Sequence, residues 1–122
     1  MRIFKTRIFA RFARKVVLTD TALSNAMMDA KRGLIDADLG GGVIKQRIAR
    51  RGDGKSGGFW TIVLFRLQER AVFVYGFEKS ARDNIQDDEL QAFRRLARQM
   101  LSYDDTELAA AIKAGVLIEV RS

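Results

Sequence analysis

Between Gly40 and Trp60 the chain reads GGGVIKQRIARRGDGKSGGFW. From Val43 to Trp60 five basic side chains, Lys45, Arg47, Arg50, Arg51 and Lys55, stand against one acid, Asp53. Cations held this close repel one another, so a fold that keeps them gains by meeting an anion there. Close like charges also depress a lysine pKa from about 10.4, which suits one lysine to act as general base on a ribose 2′-hydroxyl. The remaining cations would then stabilise the crowded, negative transition state, and no metal is needed. Ser56 sits in an amide-rich loop suited to a phosphodiester. Trp60, Tyr75, Phe59 and Phe77 offer faces for splayed bases. Aromatic residues in strands more often serve the core.

What is missing narrows the chemistry further. The chain has no histidine and no cysteine, which excludes serine–histidine triads, thiolate nucleophiles, paired-histidine phosphodiester cleavage and histidine- or cysteine-ligated metals. Asp83, Asp87, Asp88 and Glu89 sit at a helix start, where carboxylates serve the helix dipole. The GKS tripeptide is not a nucleotide-binding phosphate loop, because Ala49 replaces the first glycine of that spacing and a strand follows. No metal and no cofactor is expected.

The elements that position these residues can be read from periodicity. Ile3 to Thr6 reads as a short strand, and Arg7 to Lys15 as a helical turn or two with Phe9 and Phe12 on one face. Thr19 or Asp20 caps a helix over 20–31, and Gly33 stands where a left-handed stop belongs. After the glycines at 40–42, Val43 to Arg50 runs extended, with Ile44 and Ile48 on one face and Lys45 and Arg47 on the other, away from the core. Arg51 to Gly58 reads as a loop or a wide hairpin connection. Phe59 to Leu67 and Ala71 to Phe77 form a hairpin whose parity puts Phe73, Tyr75, Phe77 and Lys79 on one side. Residues 87–102 make an amphipathic helix, Asp104 and Glu107 open another by a capping box, and Val116 to Val120 close as a strand.

With 122 residues, and without proline, repeats or a linker, one domain over 1–122 is expected. No apolar run approaches the roughly 20 residues of a membrane helix, so the cytoplasm is the expected location and no membrane partner is expected. The net charge of +7 is uneven: residues 2–15 carry six cations and no acid, and 43–82 nine against three, while 83–122 carry five against eight. A polyanion is the first partner to consider.

These residues resemble a known pattern. LGGGVIKQRIARRGDGKSGGFWTIV, then VFVYGFEKSARDNI, then a helix opening DDEL, is similar to the RelE/ParE superfamily of bacterial toxins, nearest its RelE/HigB-like branch. The likeness runs from about Phe4 to Val120. It implies an α+β fold, a curved antiparallel sheet of about four strands with N-terminal and C-terminal helices packed around it. It also implies a toxin that cuts messenger RNA on the ribosome and is neutralised by a helix-turn-helix antitoxin. By match to the motifs, Lys45, Arg47, Lys55 and Lys79 are the catalytic candidates, with Lys45 or Lys55 the base. Arg50, Arg51, Ser56, Trp60 and Arg82 are the RNA- and phosphate-binding candidates.

Two positions depart from the family pattern. The residue after the GG-aromatic, usually arginine, is Trp60, which removes a cation expected at the scissile phosphate. The C-terminal catalytic tyrosine or histidine of some relatives is also missing, for the chain closes Ile118-Glu119-Val120-Arg121-Ser122. The resemblance thus implies a nuclease that is weakened or inactive. The alternatives are a non-catalytic toxin-fold protein acting on a protein target such as gyrase, or a plain RNA-binding module.

Overall fold

The computed structural model describes residues 1–50 and 54–121, and the side chains of these outside 50 and 54–57. Strand β1 (Arg2–Thr6) runs directly into helix α1 (Arg7–Val16), because the Thr6 hydroxyl accepts from the Phe9 amide as an N-cap. Helix α2 (Asp20–Lys31) starts in the same way, with the Thr19 hydroxyl accepting from the Ala22 amide. Strands β2 (Ala37–Gly40), β3 (Val43–Arg50), β4 (Gly54–Arg66) and β5 (Arg70–Glu78) follow. Helices α3 (Asp87–Met100) and α4 (Asp105–Lys113) and strand β6 (Leu117–Glu119) complete the order. Asp104 and Glu107 close the expected capping box at α4.

The fold is α+β as expected, but the sheet is larger and mixed. Six strands lie in the order β2-β3-β4-β5-β1-β6, and β1 pairs parallel to β5. β1 feeds straight into a helix, so it cannot hairpin with a sequential neighbour. It inserts instead between β5 and the antiparallel β6. The expectation of about four antiparallel strands missed β2 as well as this parallel step.

Two further expectations are corrected by backbone geometry. The segment from Arg51 to Gly58, read as a loop or a wide hairpin connection, does join antiparallel strands, but it is strand from Gly54 onward, and Arg50 pairs with Gly54. Residues 51–53 lie outside the described residues. Gly58 permits the close pairing, since a Cβ there would stand 2.8 Å from the Ile48 carbonyl oxygen. In β5, Phe73 pairs with Val63 and Tyr75 with Ile62, so Val74 is the extra residue of a β-bulge. The bulge breaks simple alternation: Phe73 packs on Phe9, whereas Tyr75 faces Phe93 of α3.

Both faces of the sheet are covered. On one, Ile44, Val63 and Phe73 pack with Phe9 of α1 and Leu23 and Met27 of α2. On the other, Val43, Ile62 and Leu64 pack with Ala97 and Leu101 at α3 and Leu108 of α4. The side of β3 that bears Lys45 and Arg47 is therefore not a solvent face: Val43, on the same side, is fully buried. Helix α3 is seated on the turn at Gly40, Gly41 and Gly42, all at positive φ (80°, 64° and 82°). There the Arg94 guanidinium donates to the carbonyls of Leu39 and Gly40. Among the described residues no helix is long and apolar enough to cross a membrane.

Gln46 ties α2 to the sheet. Its buried amide donates to the carbonyls of Ala26 and Leu34, and its oxygen accepts from the Asp36 amide. Gln46→Leu keeps the volume but strands those partners. It should lower unfolding free energy by about 2 kcal/mol, seen as a lower urea midpoint at unchanged slope.

Candidate nucleic-acid interface

The helical cover of the second face stops short of one end of the sheet, and the predicted cations stand there. Antiparallel register sets Lys45 opposite Ile62, Arg47 opposite Trp60, and Trp60 opposite Phe77. Lys45, Trp60 and Phe77 thereby become lateral neighbours on adjacent strands. The Lys45 ammonium lies 4.3 Å from the Trp60 ring centroid and 5.9 Å from that of Phe77. It donates to the Asn84 side-chain oxygen at 3.1 Å, which also accepts from the Ile85 amide.

Burial among these groups pushes the Lys45 pKa down, and the charge of Asp36 partly opposes the shift. The two ring faces also favour the ammonium form. Asp36 has a second task, accepting from the Arg47 amide at 2.8 Å. Arg47 lies across Gly58, where a Cβ would come within 3.2 Å of its Nε. The glycine thus leaves the room that this side chain fills.

Arg82 reaches the same end of the sheet by another route. Its guanidinium donates to both carboxylate oxygens of Glu89, at 2.6 and 3.1 Å, and to the Tyr75 hydroxyl at 2.9 Å. Its Nε donates to the Asn84 carbonyl, and its charged carbon lies 5.7 Å from the ring centroids of Tyr75 and Phe77. The hydrogen bonds to Glu89 and then Tyr75 raise the Arg82 pKa, while the bond from Arg82 holds the Glu89 carboxyl low. With its fork taken up by Glu89, Arg82 acts first as a strut that fastens residues 79–86 to the sheet. That strut brings Asn84 under Lys45.

The structure thus gathers Lys45, Arg47, Trp60 and Arg82. Lys79 is exposed in the turn after β5, and among the described residues no hydrogen bond or ion pair joins it to them. The side chains of Arg50, Lys55 and Ser56, and all of Arg51, lie outside the described residues. Of the aromatic candidates, Phe59 and Phe77 are core, whereas Trp60 and Tyr75 are half-buried. Asn84, Asp36 and the Arg82–Glu89 pairing escaped the sequence reading. Asn84 carried one signal, its place in the Asn-Ile pair that ends the YGF motif.

A family model described as the RelE toxin of the RelE/RelB toxin-antitoxin system matches residues 1–120. No curated protein matches the chain.

Depression of the Lys45 pKa by burial means the folded chain releases this proton at lower pH than the unfolded chain does. The unfolded state then binds more protons, so this group makes stability rise as pH climbs through the folded value. In carbon-13 NMR of labelled lysine side chains, Lys45 should titrate before the exposed lysines. Asp36→Asn, which removes the opposing charge, should move it lower still. Titration of Lys45 together with the exposed lysines would contradict this account.

Proposed function

The chain belongs to the RelE toxin family of toxin-antitoxin systems, and on that premise we propose that it is a metal-independent endoribonuclease that cuts messenger RNA on the ribosome. In this reading it works in the cytoplasm and is restrained by a helix-turn-helix antitoxin. The observation that carries the proposal is the Lys45 ammonium, half-withdrawn from water beside Arg47 at the open end of the sheet.

In this mechanism Lys45 or Lys55, once neutral, takes the proton of a ribose 2′-hydroxyl. The 2′-oxygen attacks the adjacent phosphorus, the bond to the 5′-oxygen breaks, and that oxygen takes a proton from water as it leaves. A 2′,3′-cyclic phosphate and a 5′-hydroxyl end result. Arg47, Arg50 and Lys79 neutralise the phosphate as charge builds, with Arg51 and Ser56 available to the flanking backbone. Trp60 offers a face to a neighbouring base.

Trp60 also weakens the reaction in two ways. It lacks the cation that the family places at the scissile phosphate, and its ring favours the protonated form of the lysine that rests on it. Loss of one charge-assisted transition-state contact costs about 3 kcal/mol, roughly a hundredfold in rate. Primer extension on messages in a translating extract tests both points. Trp60→Arg should raise cleavage about a hundredfold, and Lys45→Ala should reduce it by at least about a hundredfold. Unchanged cleavage in Trp60→Arg removes the attenuation argument. Intact message together with arrested DNA replication would favour a gyrase-type target instead.

A further inference from the structure

We propose that Asn84 is a positioning residue for Lys45: its side-chain oxygen takes one hydrogen of the lysine nitrogen and so turns the lone pair toward the open side of the site. The inference rests on the reading of Lys45 as the general base, and it gives the turn after β5 a part in the chemistry.

The orientation of the Asn84 amide follows from its neighbours. Its oxygen lies 2.9 Å from the Ile85 backbone nitrogen and 3.1 Å from the Lys45 Nζ. Both are donors, so the oxygen and not the NH2 group faces them, and the two together occupy both of its lone pairs. The turn is held on either side of this amide. Ile85 packs against the core beneath α3 and α4, and the Arg82 Nε donates to the Asn84 carbonyl at 3.0 Å. Arg82 is fixed in turn by Glu89 and by the Tyr75 hydroxyl. Tyr75 reaches it because the bulge at Val74 turns that ring to the α3 side of the sheet. A backbone irregularity in β5 thus sets the place of an amide that meets a side chain of β3.

A neutral lysine nitrogen carries two hydrogens and one lone pair at tetrahedral angles, and its surroundings decide where each points. Asn84 takes one N–H. The second is drawn to the rings of Trp60 and Phe77, whose electron-rich faces lie 4.3 and 5.9 Å from the nitrogen at their centroids. Asp36, whose charge acts on Lys45, can only accept when ionised. These neighbours are all acceptors, so a lone pair aimed at any of them meets repulsion. The nearby donors are engaged elsewhere: Arg47 lies across Gly58, and Arg82 gives its fork to Glu89. Lys79 and Asp83, in the same turn as Asn84, are exposed. The lone pair is left with the direction away from these groups, the open side from which a ribose 2′-hydroxyl arrives. Transfer of the hydroxyl proton to it makes the ammonium. Without Asn84 the flexible lysine stem can rotate, and the lone pair has no fixed aim.

The test compares Asn84→Ala and Asn84→Asp with the unchanged chain. Carbon-13 relaxation of labelled lysine side chains should find Lys45 more ordered than the exposed lysines in the unchanged chain, and as mobile as they are in Asn84→Ala. On ribosomes programmed with message, Asn84→Ala should cleave at least about tenfold more slowly, since displacing a reacting group by about 1 Å can cost about a hundredfold. Asn84→Asp keeps both hydrogen bonds but adds a negative charge, which favours the ammonium and raises the Lys45 titration midpoint. That variant should keep Lys45 ordered, cleave about tenfold more slowly at neutral pH, and regain the unchanged chain's neutral rate about one pH unit higher. A role in stability alone would leave the midpoint where it is and give both variants one pH profile. Lys45 still ordered in Asn84→Ala, full cleavage by that variant, or no alkaline displacement in Asn84→Asp overturns the proposal. Lys45→Ala keeps the two readings apart. Loss of cleavage there with full cleavage in Asn84→Ala overturns this inference alone; full cleavage in Lys45→Ala removes the base, and the positioning role with it.

Discussion

The strand at the centre of the sheet is buried on both sides. Ile62, Val63 and Leu64 of β4 are consecutive, point alternately to opposite faces, and are all inaccessible to water. A strand of this kind is stable only if each face has its own helical cover. The helices between β1 and β2, α1 and α2, provide one layer, and those between β5 and β6, α3 and α4, the other. The candidate site follows from that constraint. Where the second layer ends, the same pleat that buried Val43 presents Lys45 and Arg47, and the same strand that buried Ile62 presents Trp60. A functional face here is an extension of a core face, so its cations are partly desolvated by the packing beside them.

Part of the chain's positive charge is tied into the architecture. Arg2 pairs with Glu119 and Lys5 with Asp20, binding β1 to the last strand and to α2. Arg7 donates to the carbonyls of Ala114 and Gly115 after α4, while Arg66 and Arg70 donate to those of Leu101 and Met100 at the end of α3. Cations at helix C-termini satisfy carbonyls that have no partner within the helix and complement the dipole. The net charge therefore overstates the surface available to a polyanion. The N-terminal arm, read from sequence as part of one cationic surface, spends three of its six cations in this way.

What could be read from the sequence was what local physics decides. Helix α2 has its expected span, β3 its expected bounds, and α4 its capping box, because caps, glycine stops and hydrophobic period act within a few residues. Long-range arrangements were hidden. The parallel pairing of β1 with β5 joins residues about seventy apart, and β2 is a four-residue edge strand with little apolar content. The bulge at Val74 shifted side-chain parity in a run that reads as uniform β. At the site, the lateral relation of Lys45, Trp60 and Phe77 depends on register across three strands. Glu89 was read as serving the helix dipole, and it does accept from the Gln86 amide in the first turn of α3. Its second oxygen contact, with Arg82, becomes visible only when the turn after β5 is folded back.

The position of β1 has a bearing on how this polypeptide is born. Of the six described strands, the earliest in sequence sits between β5 and β6, and its outer neighbour is the latest. A nascent chain elongating at about 5–20 residues per second therefore carries Arg2–Thr6 without either flanking partner until Arg70–Glu78 has been made. Closure of the sheet must wait for Leu117–Glu119 to emerge. By this ordering of strands, the six-stranded sheet is completed only after every other element of the domain has been translated.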